Sequence, residues 1–364
     1  MAPDATPAPG AADLDIIAPG ETLRDTLEAL GMSQRDLADR TGLSTKTVNQ
    51  IVQGVAPITH DTALKLERAT GVPARMWNNL EAEYRERLAR ARHDELLAEQ
   101  LDWVNELPLK ALRDAGIVTK TKRDRLGVLK EFVSFFGVID RETYEQAWSR
   151  PVAAFRQSPK LKSDPVAVAA WLRKGEIEAA SIKCEAYDEE AFEQAIRDAR
   201  SLITEEPEKW APLISRSYAE AGVALVLLAE VRGARAFGAS RWLTPHKAVV
   251  QLSLRQRWED QFWFSLFHES CHVLRHPKKH GFVSDGDPED RFEREANEFA
   301  TRVLIPPESE PRLRSISTLA EVPPFAREVG VPPGIVVGRL QRLGTFHYSV
   351  GNDLRRRLQF TEGE

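Results

Sequence analysis

The chain has 364 residues, of which 42% are hydrophobic and 29% charged, and its formal net charge is −5. This length predicts two to three domains, and the composition is that of a globular protein with apolar cores. The charge balance excludes a polycation, so any nucleic-acid contact needs a local patch, and the two cysteines exclude a disulfide framework or a four-cysteine zinc site.

Residues 1–17 are predicted to be a disordered tail. They are rich in Ala and Pro and lack the basic start and the apolar stretch of a signal peptide. No run of about 18 apolar residues occurs in the chain, so the sequence predicts no transmembrane helix. Together with the sparse, widely separated cysteines, these features indicate a cytoplasmic protein.

Residues 18–88 carry the pattern of a helix-turn-helix domain. Ser33 and Asp36 predict a capping box at the start of a helix over residues 34–40, and Gly42 lies where the turn requires an unhindered backbone. Ser44 predicts the N-cap of a second helix over residues 45–53. A plain helical hairpin with a polar surface is the alternative. The apolar positions expected to pack the two helices together are Leu37, Ala38, Leu43, Val48 and Ile51.

The second helix has a short polar outer face, as a recognition helix in the major groove requires. Residues 20–84, which include MSQRDLADRTGLSTKTVNQIVQG, resemble the lambda-repressor-like helix-turn-helix domains of the HigA antitoxin type. This resemblance implies a homodimer on a palindromic operator in double-stranded DNA, with Gln34 on a phosphate. The residues expected at the DNA are Gln34, Ser44, Thr45, Lys46, Asn49 and Gln50.

Residues 89–206 predict a helical linker or scaffold region without a chemical motif. Prolines break it into several pieces. Three tryptophans, Trp103, Trp148 and Trp171, are expected to lie in its core or at a contact.

Residues 207–364 are predicted to form a third domain, in which short strands appear beside the helices. Apolar runs over residues 223–228 and 248–253 predict strands, and residues 261–274 predict an apolar helix. That helix contains His268-Glu269-Ser270-Cys271-His272. Two histidines four residues apart share one helix face and can ligate one zinc ion, with Glu269 beside them to take a proton from water. Two core histidines satisfied by hydrogen bonds are the alternative.

A catalytic zinc site requires a third protein ligand, and the helix predicted from about residue 288 to 304 offers Glu293 and Glu295. Glu293 falls about 55° from the centre of the inward apolar stripe and Glu295 about 105° on the other side. Glu293 is therefore the predicted ligand, and Glu295 is a surface charge or the reserve ligand. Asn297 is expected to hydrogen-bond a ligand histidine from outside the coordination sphere.

The segments DQFWFSLFHESCH, FEREANEFA and LIPP resemble the ImmA/IrrE metallopeptidases, and the resemblance runs from about residue 222 to the C-terminus. It implies a gluzincin-like fold in which the two histidines and a Glu of the Glu-x-x-Ala-Asn type hold zinc, and that pattern falls on Glu293. Cys271 stands where a small Gly or Ala is usual. We interpret its thiol as a packing group, with a redox or zinc role as the alternative.

Three further features lie near the motif or the C-terminus. His276 and His280 follow the motif and are expected to line the cleft, to donate to a developing oxyanion or simply to be solvated. The run Arg355, Arg356 and Arg357 predicts a solvated C-terminal face rather than a nucleic-acid site.

The predicted fold class is mainly α with a small β-sheet, comprising an all-α helix-turn-helix domain, a helical middle region and a gluzincin-like metallopeptidase domain. The predicted function is a DNA-binding transcriptional regulator with a zinc-dependent endopeptidase domain, and the resemblance implies a repressor or antitoxin-like protein as substrate. One alternative is a non-proteolytic regulator or antitoxin whose metal domain senses a signal or binds a partner. Another is a toxin-neutralising module in the middle helices.

Overall fold

The computed structural model describes residues 18–155, 163–278, 282–284 and 291–359, with the backbone alone at residues 149–155 and 282–284. The described chain forms two compact units, one ending at Leu101 and the other beginning at Asp102. The predicted class, mainly α with a small sheet, is confirmed. The tail predicted over residues 1–17 and the residue His280 lie outside the described residues. The domain boundaries at residues 88 and 206 stay predictions.

The first unit begins with a capped helix pair. The Ser33 hydroxyl accepts a hydrogen bond from the Asp36 N–H, and the Asp36 carboxylate accepts one from the Ser33 N–H, so the predicted capping box is confirmed. Gly42 follows with φ +68°, a left-handed conformation that favours glycine, and Ser44 caps the next helix. The helices of this unit are α1 (Pro19–Ala29), α2 (Gln34–Thr41), α3 (Thr45–Val52), α4 (His60–Thr70) and α5 (Ala74–Ala98).

Apolar packing fixes α3 against its neighbours. Val48 and Ile51 of α3 and Leu37 of α2 are buried, and Leu43 packs against them from the turn. Trp77 of α5 is fully buried in the same core. Full burial of side chains of this size contributes about 1.5–3 kcal/mol each, so the polar outer face of α3 is held in a fixed orientation.

The second unit surrounds a mixed four-stranded sheet. Its strands are β1 (Val223–Leu227), β2 (Gly238–Thr244), β3 (Lys247–Leu252) and β4 (Phe282–Ser284), in the order β1-β3-β2-β4. β1 pairs with β3 in parallel, and β2 pairs antiparallel with both β3 and β4. The strands predicted at residues 223–228 and 248–253 are confirmed, whereas β2 and β4 were not predicted.

The helices of the second unit are α6 (Leu109–Asp114), α7 (Arg125–Phe136), α8 (Arg141–Phe155), α9 (Pro165–Ser181), α10 (Glu189–Ser201), α11 (Pro207–Glu220), α12 (Glu259–Arg275), α13 (Arg291–Leu304), α14 (Glu310–Ser315), α15 (Val322–Val329) and α16 (Pro333–Arg342). The three tryptophans predicted to be in the core, Trp103, Trp148 and Trp171, are buried. Within the described residues, no helix has both the length and the apolar character needed to span a bilayer.

Helices cover both faces of the sheet, because buried apolar residues alternate along its strands. Val223 and Leu225 of β1 point into the larger core together with Phe267 of α12. Ala224 and Val226 point to the opposite face, where they pack with Ala179 of α9. The sheet therefore supports α12, the helix that carries the two motif histidines.

The segment after residue 354 returns to the start of α12. The Arg355 guanidinium donates hydrogen bonds to both carboxylate oxygens of Asp260, at 2.8–3.0 Å, and each of these two side chains is 9% exposed. Arg356 forms an ion pair with Glu259, and the guanidinium groups of Arg355 and Arg357 lie over the Trp258 ring. The predicted solvated face is therefore wrong for Arg355, because a buried carboxylate on α12 requires its charge.

Candidate metal centre

Two helices bring three ligand-type side chains together. His268 and His272 lie one turn apart on α12, and Glu293 reaches them from the first turn of α13. The Nε2 atoms of the two histidines are 3.1 Å apart, and they lie 3.2 Å and 3.1 Å from the Glu293 oxygens. All three residues are buried, with at most 9% of their surface exposed.

This arrangement fits a tetrahedral zinc ion. Ligand atoms at about 2.0–2.1 Å from a tetrahedral centre are about 3.3 Å apart, close to the separations found here. Two neutral imidazoles and one carboxylate are the ligand set of one class of catalytic zinc sites, which leaves the fourth position open. His268, His272 and Glu293 form a group that could hold a metal ion, whereas Glu295 is not part of it.

The pKa shifts in the cluster leave His272 and Glu293 in the protonation states that bind a metal. Burial lowers the pKa of His272 to about 4, so its imidazole is neutral at neutral pH. Burial opposes ionisation of Glu293, but hydrogen bonds from both histidines hold the pKa of its carboxyl at about 2. Burial also disfavours a charged His268, yet hydrogen bonds with Glu293 and Asn297 raise the pKa of His268 overall, so a metal would displace a proton there.

Glu269 is fully buried and faces the start of β2. Gly238 opens this strand, and a Cβ atom at position 238 would lie 2.6 Å from the Glu269 Oε1 atom. The absence of a side chain at Gly238 therefore makes room for the carboxylate. Gly238 was not predicted from the sequence. A glycine inside a strand indicates a close approach by another group, but this indication depends on recognising β2 as a strand.

His276, just past the end of α12, contacts His272 and Glu295. His272 Nδ1 lies 2.7 Å from His276 Nδ1, and His276 Nε2 lies 3.4 Å from a Glu295 carboxylate oxygen. His276 is only 6% exposed, so its interpretation as a solvated loop residue is wrong. His276 is therefore the residue placed to orient the His272 ring, since a ligand histidine is oriented by the partner of its other ring nitrogen. Asn297 contacts the other histidine, His268, with which it forms a hydrogen bond.

The remaining motif residues are structural. Ser270 is buried and its hydroxyl lies 2.9 Å from the Tyr218 hydroxyl. Cys271 is fully buried, and burial raises the pKa of its thiol to about 12, which keeps it protonated. The thiol is not among the grouped ligand atoms, and these features support packing as the role of Cys271.

The predicted DNA-facing residues lie at the starts of α2 and α3. Gln34 is the first residue of α2, and Ser44 caps α3 by accepting a hydrogen bond from the Thr47 N–H. The outer positions Thr45, Lys46 and Asn49 are exposed, while Gln34 and Gln50 are half-buried. Contacts of these six residues with DNA stay a prediction.

Comparison with known families matches both regions. A helix-turn-helix family model matches residues 23–77, and an IrrE N-terminal-like domain model matches residues 236–341. The chain therefore combines a helix-turn-helix DNA-binding domain with a region that is similar to the IrrE N-terminal-like domain.

Individual relatives match the helix-turn-helix region. Virulence-associated protein I of Dichelobacter nodosus is 38% identical over 76 residues, which cover 21% of this chain and 70% of that protein. The antitoxin HigA of Pseudomonas aeruginosa, solved with the higBA promoter, is 36% identical over 22% of this chain and 89% of that chain, with a TM-score of 0.21. An addiction module antidote protein of the HigA family from Coxiella burnetii is 32% identical over 24% of this chain and 95% of that chain, with a TM-score of 0.22.

Proposed function

We propose that this protein is a zinc-dependent endopeptidase joined to an operator-binding domain. The observation that carries the proposal is the convergence of His268, His272 and Glu293 on one buried point, with the Glu269 carboxylate on the same helix. A buried cluster of two imidazoles and a carboxylate is costly without a cation, and an adjacent carboxylate has no purpose in a purely structural site.

In the proposed reaction His268, His272 and Glu293 hold the metal. When bound, zinc supplies a Lewis acid that polarises the scissile carbonyl and makes water more acidic. Glu269 takes a proton from the attacking water and passes it to the nitrogen of the amine that leaves when the peptide bond breaks. Gly238 leaves the space in which the Glu269 carboxylate moves this proton, and His276 orients the His272 ring.

The helix-turn-helix domain supports a role at an operator. We propose that it binds palindromic double-stranded DNA as a homodimer, with the outer face of α3 in the major groove. The proposed peptidase substrate is a repressor or antitoxin-like protein. This substrate class is supported by the family resemblance and by the joining of a DNA-binding domain to a peptidase domain in one chain.

Metal analysis tests the site. We expect one zinc per chain in the purified wild-type protein, loss of zinc in His268→Ala and Glu293→Ala, and retention of zinc in Glu295→Ala, which removes a carboxylate from the same helix. A wild-type protein that takes up no zinc even when zinc is supplied contradicts the proposal and leaves a DNA-binding regulator.

Cleavage is tested separately on a peptide library derived from bacterial proteins. We expect the zinc-loaded wild type to cleave library peptides and Glu269→Gln to retain zinc without cleaving them. Zinc binding and operator binding without any cleavage would favour the non-proteolytic regulator instead.

A further inference from the structure

A groove lies beside the metal centre, between α12, α13 and α16. It encloses about 490 Å³, and a narrower cleft that shares Phe264 and Arg342 with it extends to Asp260. Asn297, which hydrogen-bonds His268, forms part of its wall. The rings of Phe264 and His268 are 6.0 Å apart between their centroids. A peptide in this groove would therefore lie beside His268, one of the three candidate ligands.

The groove has an apolar floor and a cationic rim. Phe264, Leu304, Ile305 and Ile335 contribute aromatic and aliphatic surface. The charged side chains of the larger cleft are four arginines and two glutamates, a formal charge of four minus two, or +2, in a chain whose net charge is −5. These charged residues are Arg294, Arg302, Arg339, Arg342, Glu298 and Glu310.

The arginines differ in their partners. Arg302 forms an ion pair with Glu298 at 3.4 Å, and Arg339 forms one with Glu310 at 3.3 Å. Among the described residues, Arg294 and Arg342 form no ion pair, and Arg342 lies 5.5 Å above the Phe264 ring. Arg294 directly follows the proposed ligand Glu293. Two exposed guanidinium groups at the rim are thus available to a ligand carboxylate.

We infer that this groove binds the protein substrate and selects a segment in which an apolar side chain is flanked by Asp or Glu residues. The apolar side chain lies on Phe264 and Ile305, and the flanking carboxylates pair with Arg294 and Arg342. Nucleic acid fits less well, because a phosphate backbone makes no use of the apolar floor formed by Phe264 and Ile305. The inference names the substrate class of the proposed peptidase and rests on that function.

Peptide binding tests the inference without requiring cleavage. The full-length Glu269→Gln variant, loaded with zinc, is titrated against a fluorescein-labelled peptide with Leu and Phe between Glu and Asp residues. A second peptide carries Gln and Asn at the acidic positions. We expect fluorescence anisotropy to show about tenfold tighter binding of the acidic peptide at low salt, and a smaller difference at high salt.

Substitutions of the two rim arginines test whether the acidic peptide binds in this groove. Arg294→Gln and Arg342→Gln should each weaken binding of the acidic peptide about threefold and leave the neutral peptide unaffected. Arg216→Gln, an exposed arginine of α11 outside the groove, is the matched control and should change neither. Circular dichroism confirms that each variant is folded.

Equal affinity for the two peptides, binding of neither, or an equal loss in Arg216→Gln overturns the inference. Tighter binding of an oligothymidylate of equal charge through Arg294 and Arg342 also overturns it, in favour of nucleic acid. Failure of the peptidase proposal has a different signature, because the wild type would then cleave no library peptide whichever peptide it bound.

Discussion

Removal of the Arg355 charge should destabilise the second unit far more than removal of an exposed arginine in an ion pair of the same length. Arg355→Met leaves the Asp260 carboxylate buried on α12 without its cation. Removing one partner of a buried pair costs about 3–5 kcal/mol in the free energy of unfolding. Burial raises the pKa of Asp260 and Arg355 opposes this rise only in part, so loss of Arg355 would leave a carboxylate whose desolvation is not compensated.

The matched control is Arg312→Met. Arg312 pairs with Glu328 at 2.9 Å, but these side chains are 58% and 47% exposed, against 9% each for Arg355 and Asp260 at 2.8 Å. Water and salt screen such an exposed pair, whose removal costs about 0–1 kcal/mol. The double variant Arg355→Met with Asp260→Leu should recover most of the lost stability, because apolar residues replace both buried charges.

Urea unfolding followed by tryptophan fluorescence measures these differences. Of the eight tryptophans only Trp77 lies in the first unit, so the signal reports mainly on the second. Two transitions are expected from two units and must be fitted separately. Similar losses in Arg355→Met and Arg312→Met, or no recovery in the double variant, would refute the reasoning that burial controls the strength of this pair.

Three further predictions concern the metal centre. Gly238→Ala should retain zinc but lower cleavage of the peptide library at least tenfold, because a Cβ atom displaces the Glu269 carboxylate. Metal analysis together with the cleavage assay checks this, and unchanged cleavage would contradict it. His276→Ala should weaken zinc binding about 10- to 100-fold, since His272 loses its partner; chelator competition measures it, with the exposed His347→Ala as control. A protein kept at a free zinc concentration of about a thousand times its Kd should lose about 4 kcal/mol in the unfolding free energy of the second unit when a chelator removes the zinc. An unchanged urea midpoint would argue against zinc at this site.

The sequence predicts which candidate ligands come together where short-range geometry decides it. The spacing of His268 and His272 places both imidazoles on one face of α12, because four residues make about one helical turn. The phase of α13 likewise distinguished Glu293, which the structure brings to the cluster, from Glu295, which it does not. In both cases the period of a single helix was sufficient for the prediction.

Features that depend on distant pairing could not be predicted in the same way. β2 begins with a glycine and carries Arg241 and a mixed burial pattern, so its apolar alternation is weak, and its place is set by pairing with β3. The ion pair of Arg355 joins residues 95 positions apart. The contact of His276 with Glu295 depends on where α12 ends and how α13 lies against it. Each is fixed by tertiary packing rather than by local periodicity.

α13 supplies both Glu293 to the ligand cluster and Glu295 to the histidine behind His272. A bound metal would therefore cross-link the end of α12 to the start of α13 and close the chain between them into a loop. We expect zinc to slow trypsin cleavage after the exposed Lys278 in this segment; equal digestion rates with and without zinc would refute this. In that case the supply of metal would also set how long the protein survives proteolysis.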